Sequence, residues 1–248
     1  MAQSARFLGR LYSEVLAAPG SWLLSSEFFQ LMRGSAKLTD PAGLTDRGAS
    51  AESGYGTRTD LVAEIVPGIE RFGGIGVIRV CGVLMKNPPC WMVEMGACDI
   101  DQVRMLVEIA TIDPTIEQVV LHFQTPGGEV TGVPECAHRI AELRAVKDVT
   151  SFSDRNICSG GYFLGCQADQ VILTPTARAG GIGVYTVYFE ESEGLAMEGT
   201  KANSFSVGKL KLAGADWKAM NDEEKAYFQA EVERVGVIFK GRCSQIGR

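Results

Sequence analysis

Short apolar runs of strand length alternate along the chain with stretches in which apolar residues recur at helical spacing. The predicted strands span 76–80 with an extension at 83–84, 118–123, 149–153, 170–174 and 181–187. The predicted helices begin at the capping box Asp99-x-x-Gln102, after Gly127-Gly128, at Tyr162 and at the capping box Asn221-x-x-Glu224. This alternation indicates βαβ units and an α/β fold with a mainly parallel sheet. The nearly continuous apolar run 118–123 further predicts a sheet covered on both faces.

The chain divides into three parts by composition. Residues 1–33 contain two short amphipathic pieces, which predict an extension that docks on the main domain or on a neighbouring subunit. Residues 34–61 are rich in Gly, Ser, Thr, Asp and Ala, which predicts a linker. The main domain is expected over 62–248, and the final helix carries an apolar stripe of Phe228, Val232, Val235 and Phe239 that is typical of a core or subunit interface.

Composition narrows the function classes. A chain of 248 residues with 46% hydrophobic residues can bury a full core, and its net charge of −6 argues against nucleic-acid binding. The seven cysteines form no pair at metal-ligand spacing, which favours free thiols in a reducing compartment and predicts no metal site. Because no apolar run reaches the ~20 residues of a membrane span, we expect a cytoplasmic protein.

The segment 156–162 contains a candidate catalytic serine. Ser159 lies where a predicted strand turns into a helix, and Gly160-Gly161 follow it. A hydroxyl at such a turn is a candidate nucleophile, and the alternative is that Ser159 only caps the helix. Active sites of parallel sheets lie at the carboxyl ends of the strands, so the Gly127-Gly128 turn and Ser159 are expected to face one crevice. The Gly127-Gly128 turn and the N–H of Gly160 would supply two backbone oxyanion donors.

A serine nucleophile needs a base, and the sequence offers few. His122 and His138 lack an obvious orienting carboxylate nearby in sequence, which favours structural roles for both. Lys211 lies between Leu210 and Leu212 in a loop bounded by glycines, and Lys209 is its competitor. Solvated loop positions for both lysines remain the alternative.

Three other patterns match the sequence less well. Cys158 is an alternative nucleophile, although a small buried residue fits that position better. Ile157 occupies the first glycine position of the G-x-S-x-G pattern, which disfavours an α/β-hydrolase. The glycines at 180–183 precede no predicted helix and so form no dinucleotide fingerprint.

Five segments in order resemble the signal peptide peptidase SppA family: 125–130 (TPGGEV), 158–162 (CSGGY), 168–169 (AD), 180–184 (GGIGV) and 208–211 (GKLK). The resemblance covers roughly residues 76–242. It implies a ClpP/crotonase-like fold of repeated ββα units and a Ser-Lys dyad of Ser159 and Lys211, which lie 52 positions apart. It implies no cofactor.

The same resemblance assigns backbone roles to four glycines. Gly128 and Gly160 would supply the oxyanion N–H groups, and Gly127 and Gly161 would contact the substrate. One departure concerns Gly181, since the family commonly has serine there, near the lysine. That difference allows the alternative of a catalytically weak or inactive capsid-assembly or scaffold component.

Within the family, the polar linker and the N-terminal extension look like the branch that matures phage heads. The resemblance then implies polypeptide substrates, capsid or scaffold partners, a homo-oligomeric ring, and a location in the host cytoplasm or virion. Two alternatives remain: a cellular SppA-like peptidase, and a crotonase-type acyl-CoA enzyme, which uses paired backbone N–H groups in the same fold.

Overall fold

The computed structural model describes residues 68–243 and, for the backbone alone, residues 22–24. The strands are β1 (Trp22–Leu24), β2 (Ile69–Phe72), β3 (Ile75–Cys81), β4 (Val83–Met85), β5 (Ala97–Asp99), β6 (Gln118–Gln124), β7 (Gly127–Glu129), β8 (Asp148–Ser153), β9 (Asn156–Cys158), β10 (Gln170–Leu173) and β11 (Arg178–Gly180). The helices are α1 (Cys90–Glu94), α2 (Ile100–Ile112), α3 (Val133–Arg144), α4 (Gly160–Gly165), α5 (Ser192–Met197) and α6 (Asp222–Cys243).

A five-stranded sheet in the order β10-β8-β6-β3-β2 forms the centre of the fold, and every pairing except β2 with β3 is parallel. Its core face buries Val119, Leu121 and Phe123 of β6 beneath the mutually packed helices α2 and α3. The side chains of β6 that alternate with these are half-buried, and Gln118 is exposed. The prediction of a sheet covered on both faces is therefore wrong for the described residues, because the run 118–123 includes the polar side chains of Gln118 and His122 on the second face.

Three successive ββα units build the rest of the domain: β3-β4-α2, β6-β7-α3 and β8-β9-α4. In the first two units the second strand leaves the central sheet and joins a smaller sheet in the order β1-β7-β4-β5, whereas β9 pairs with β11. The repeated ββα units and the mainly parallel central sheet confirm the predicted fold class. This arrangement places β7 and the β9–α4 turn at the same end of the central sheet.

Capping and stop residues in the sequence predicted both ends of α2 and the start of α6. The Asp99 side chain accepts a hydrogen bond from the N–H of Asp101 at 3.0 Å and opens α2, and Asp113 ends it. Asn221 and Glu224 form a reciprocal capping box at the start of α6, with N···O distances of 2.9 and 3.1 Å. On α6, Phe239 is buried and stacks on Phe163 of α4, so this part of the apolar stripe belongs to the core.

One local prediction needs correction. The fifth strand is predicted at 181–187, but β11 comes earlier, because it pairs in parallel with β9, and Gly180 and Gly181, with φ of 127° and 69°, end the extended conformation. Between β4 and β5 lies the short helix α1, and the side chains of Trp91 and Met95 there are exposed.

The N-terminal extension and the linker, predicted at 1–33 and 34–61, lie outside the described residues except for β1. In the described part of the chain, no helix is long and apolar enough to cross a membrane. The same residues include no cluster of His, Cys, Asp and Glu suited to a metal ion.

Candidate active site

Ser159 occupies a strained turn between β9 and α4. Its φ of 52° and ψ of −119° fall outside the regions that non-glycine residues usually adopt, and among the described non-glycine residues only Asn87 shares a positive φ. Such a conformation costs about 1–3 kcal/mol and persists where neighbours hold it. Here the Ser159 N–H donates to the Gly180 carbonyl at 2.6 Å, and its carbonyl accepts from the Phe163 N–H at 2.9 Å.

The Ser159 hydroxyl is fully buried and has no hydrogen-bond partner among the described residues. It does not cap α4, so the interpretation of Ser159 as a simple helix cap is wrong. Leaving a buried hydroxyl unpaired costs about 1–3 kcal/mol, and such groups concentrate where chemistry requires them. Strain and an unsatisfied hydroxyl therefore coincide at one residue.

Thr125 connects the β6–β7 turn to the Ser159 turn. Its N–H donates to the Asn156 carbonyl at 2.8 Å, and its carbonyl accepts from the Cys158 N–H at 3.1 Å. Its hydroxyl donates to the Gly82 carbonyl at 2.6 Å and accepts from the Gly127 N–H at 3.1 Å. Sequence reasoning missed this positioning role, because Thr125 was seen only as the start of a glycine turn.

Two of the predicted site glycines are required by close packing. A Cβ on Gly161 would lie 2.2 Å from the Thr125 Cγ2 atom, and a Cβ on Gly128 would lie 2.0 Å from the Leu84 carbonyl oxygen. Gly127 is buried with φ of 102°. Helix α4 packs against β7, so Gly127 and Gly128 and the Ser159 turn are adjacent, as expected from the strand ends. Gly160 begins α4, where first-turn N–H groups have no intrahelical partner.

The two candidate lysines differ in their surroundings. Lys209 forms an ion pair with Glu223 at 2.5 Å, which engages its ammonium group. Lys211 is exposed, and its described bond is that of its backbone N–H to the Gly208 carbonyl at 3.2 Å. Since the Ser159 hydroxyl has no partner among the described residues, Lys211 does not contact it in this conformation. The predicted dyad is therefore not assembled here.

Gly181 lies beside the candidate nucleophile. A Cβ at this position would be 3.4 Å from the Ser159 nitrogen and 3.7 Å from the Ser159 Cβ. A side-chain hydroxyl at residue 181 would thus stand next to Ser159, which gives the sequence departure at Gly181 a direct structural meaning.

Neither histidine serves Ser159. His122 lies on the half-buried face of β6 and contacts Asp154 at 3.0 Å, where the hydrogen bond from His122 lowers the pKa of the Asp154 carboxyl. His138 is exposed and lies 3.3 Å from Glu142 on α3. Both histidines thus have carboxylate partners, although only the partner of His138 lies near it in sequence. The Glu142 partner was detectable from its spacing of four residues on a helix.

Comparison with protein families places this site in context. Residues 141–246 match the model of peptidase family S49, a range that includes both Ser159 and Lys211. This part of the chain is therefore similar to peptidase family S49, and proteins similar to the chain include probable protease SohB of Haemophilus influenzae and the chloroplastic serine protease SPPA of Arabidopsis thaliana.

Phage proteins are among these relatives. Capsid assembly protease C of Escherichia phage lambda is 27% identical over 171 residues, which cover 69% of this chain and 39% of that protein. Head-tail preconnector protein GP5 of Enterobacteria phage P21 is 26% identical over 166 residues, covering 67% of this chain and 33% of that protein. The chain thus spans well under half the length of these two relatives. A solved enoyl-CoA hydratase/isomerase family structure from Silicibacter pomeroyi aligns with a TM-score of 0.35 and 14% identity over 45% of this chain and 53% of its own.

Proposed function

We propose that the chain is a serine endopeptidase in which Ser159 is the nucleophile and Lys211 is the general base. The unsatisfied, strained Ser159 hydroxyl carries the proposal, because neither a capping role nor a packing role accounts for it. The ion pair of Lys209 with Glu223 favours Lys211 as the base. The S49 match across both residues supports the assignment.

Catalysis would follow serine acyl transfer. The Ser159 oxygen attacks the scissile carbonyl carbon while Lys211 accepts its proton, and the N–H groups of Gly128 and Gly160 stabilise the oxyanion. Lys211 then protonates the leaving amine, which departs and leaves an ester on Ser159. Water, deprotonated by Lys211, hydrolyses that ester and restores the serine.

Because Lys211 is exposed, the proposed mechanism requires a movement of its loop. The loop that carries it must close on the Ser159 turn, because proton transfer needs a heavy-atom distance of about 2.6–3.2 Å. Gly208, with φ of 110°, lies at the start of this loop, and its missing Cβ faces the Lys211 Cβ at 3.7 Å.

Relatives suggest the substrate class. Because two of them are named as a capsid assembly protease and a head-tail preconnector, we propose capsid or scaffold polypeptides as substrates. These would bind as extended strands contacting Gly127 and Gly161. A homo-oligomeric ring in the host cytoplasm or virion stays a prediction.

Intact-mass labelling with a fluorophosphonate between about pH 6 and about pH 10 tests the dyad. We expect labelling of the parent protein to rise with pH, to vanish in Ser159→Ala and to slow by about 10²–10⁴-fold in Lys211→Ala. Lys209→Ala is the matched control and should label like the parent. Equal rates in Lys211→Ala and Lys209→Ala would refute the base assignment.

A catalytically weak assembly component is the second candidate, and the position of Gly181 favours it. If the missing hydroxyl limits orientation of the lysine, Gly181→Ser should accelerate labelling of Ser159. The positive φ of 69° makes this substitution cost about 1–2 kcal/mol of stability. A parent protein that fails to label, together with a Gly181→Ser variant that labels, would establish this candidate over an efficient protease.

A further inference from the structure

The N-terminal extension contributes one strand to the described structure, and its position is informative. Strand β1 pairs antiparallel with β7, with Trp22 opposite Glu129, Leu23 opposite Gly128 and Leu24 opposite Gly127. In the sheet order β1-β7-β4-β5, β1 occupies the edge beside β7. The partner of β7 on its other side is β4, through Leu84 and Gly128.

Strand β7 borders the candidate nucleophile. The Gly127 N–H is held by the Thr125 hydroxyl, and Thr125 also binds the backbone on both sides of Ile157, within β9. Helix α4, which begins directly after Ser159, packs against β7. A strand that pairs with β7 on the side away from β4 therefore runs beside the Ser159 turn.

That side of β7 is suited to receive a peptide backbone. Gly127 and Gly128 present no side chains, so a neighbouring strand can approach their backbone closely. The opposite side is closed, because a Cβ on Gly128 would already overlap the Leu84 carbonyl oxygen. Peptides recognised by strand addition pair with an edge of this kind, and one edge accepts one strand at a time.

We propose that Trp22-Leu23-Leu24 is a built-in strand ligand of the substrate-binding edge of β7, and that it competes there with substrates. The inference rests on the proposed function, because that function assigns the edge to a substrate. The ligand class is an extended, apolar, uncharged peptide, since residues 15–26 contain no charged side chain.

Competition by a tethered segment has a predictable size. A ligand linked to its own site acts at an effective concentration up to the millimolar range. If the free segment binds with a Kd of about 0.1 mM, the tethered copy weakens binding of an external peptide about tenfold. Removing the tethered strand should restore that affinity.

The experiment measures binding without turnover, in the 248-residue chain carrying Ser159→Ala. The probe is a fluorescent peptide of residues 16–26, whose binding is followed by anisotropy. Trp22→Pro with Leu23→Pro disables the built-in strand, because successive amides of a strand point to opposite sides and both donors are lost. The matched control is Leu11→Pro with Tyr12→Pro, which places two prolines in the other amphipathic piece of the extension.

We expect the Trp22→Pro/Leu23→Pro protein to bind the probe about tenfold more tightly than the parent and the Leu11→Pro/Tyr12→Pro protein. A probe carrying the same two prolines should not bind. Equal affinity in all three proteins, or no binding to the strand-disabled protein with native circular dichroism, would overturn the proposal. The binding assay uses the Ser159→Ala protein, so its result does not depend on whether Ser159 reacts with the fluorophosphonate. The strand-ligand proposal and the Ser159–Lys211 proposal can therefore fail separately.

Discussion

Gly161→Ala tests whether the Ser159 turn is held in place by packing against Thr125. The added Cβ would lie 2.2 Å from the Thr125 Cγ2 atom, whereas ordinary contacts begin at 3.4 Å, so the turn or Thr125 must move by about 1.2 Å. Overpacking of this kind costs about 1–3 kcal/mol, and alanine in a helix returns up to about 1 kcal/mol. We expect a net loss of about 1–2 kcal/mol in the free energy of unfolding.

A second substitution, Thr125→Ser, should offset the destabilisation caused by Gly161→Ala. Thr125→Ser removes the clashing methyl group but keeps the hydroxyl that bonds Gly82 and Gly127. Alone it should cost about 1 kcal/mol for the lost buried methyl. Combined with Gly161→Ala it should recover about 1–2 kcal/mol relative to the sum of the single changes, because the remaining Thr125 atoms near the new Cβ lie 3.6 Å or farther away.

Urea unfolding of the parent, Gly161→Ala, Thr125→Ser and the double variant gives the coupling energy between residues 125 and 161. Fluorophosphonate labelling of the same proteins reports whether the Ser159 turn keeps its reactive conformation. The matched control is Gly165→Ala, whose Cβ would lie 2.4 Å from Ile157 Cδ1 and whose three nearest neighbouring atoms belong to Ile157 and Phe123 rather than to Thr125. Its effect should add to that of Thr125→Ser within about 0.5 kcal/mol. Additivity in the Gly161 cycle as well would refute the packing of this turn on Thr125.

Two predictions concern pH. Burial raises the pKa of the Cys98 and Cys136 thiols to about 12 from 9.0, so the folded state resists their ionisation. The stability from these neutral thiols is complete below pH 9.0 and is lost as pH rises towards about 12, on the order of 1 kcal/mol per pH unit and thiol, which urea unfolding at rising pH would detect. Hydrogen bonds from Thr115 and Arg71 lower the pKa of Asp113, so its stabilisation is present above its unfolded pKa and lost as pH falls. Asp113→Asn should therefore destabilise the protein at pH 7 but lose its effect in acid, and a constant difference across pH would contradict this.

Local sequence signals were sufficient to predict those structural features whose stabilising interactions span only a few residues. The cap at Asp99 and the capping box of Asn221 and Glu224 each depend on hydrogen bonds spanning two or three positions, so the starts of α2 and α6 were readable in advance. The apolar runs likewise predicted β3, β6, β8 and β10 of the central sheet, whereas β2 was not predicted. Ser159 was identifiable as a candidate because strand, serine and two glycines follow one another directly.

Tertiary structure decided the features that depend on distant partners. The end of the last strand followed from pairing of Arg178–Gly180 with Asn156–Cys158, which no local period reveals. His122 acquired Asp154 as a partner 32 positions away, directly after the neighbouring strand β8. The requirement for glycine at 161 came from Thr125, across two ββα units.

The sequence by itself therefore determined most strands of the central sheet, the starts of α2 and α6 and the hydroxyl that is a candidate nucleophile, because hydrophobic periodicity and capping act over a single turn or strand. The conformation of Ser159, the exposure of Lys211 and the pairing of β1 along β7 were decided by the tertiary structure alone. The physical reason is that strain, burial and strand-edge occupancy are set by contacts between segments far apart in sequence.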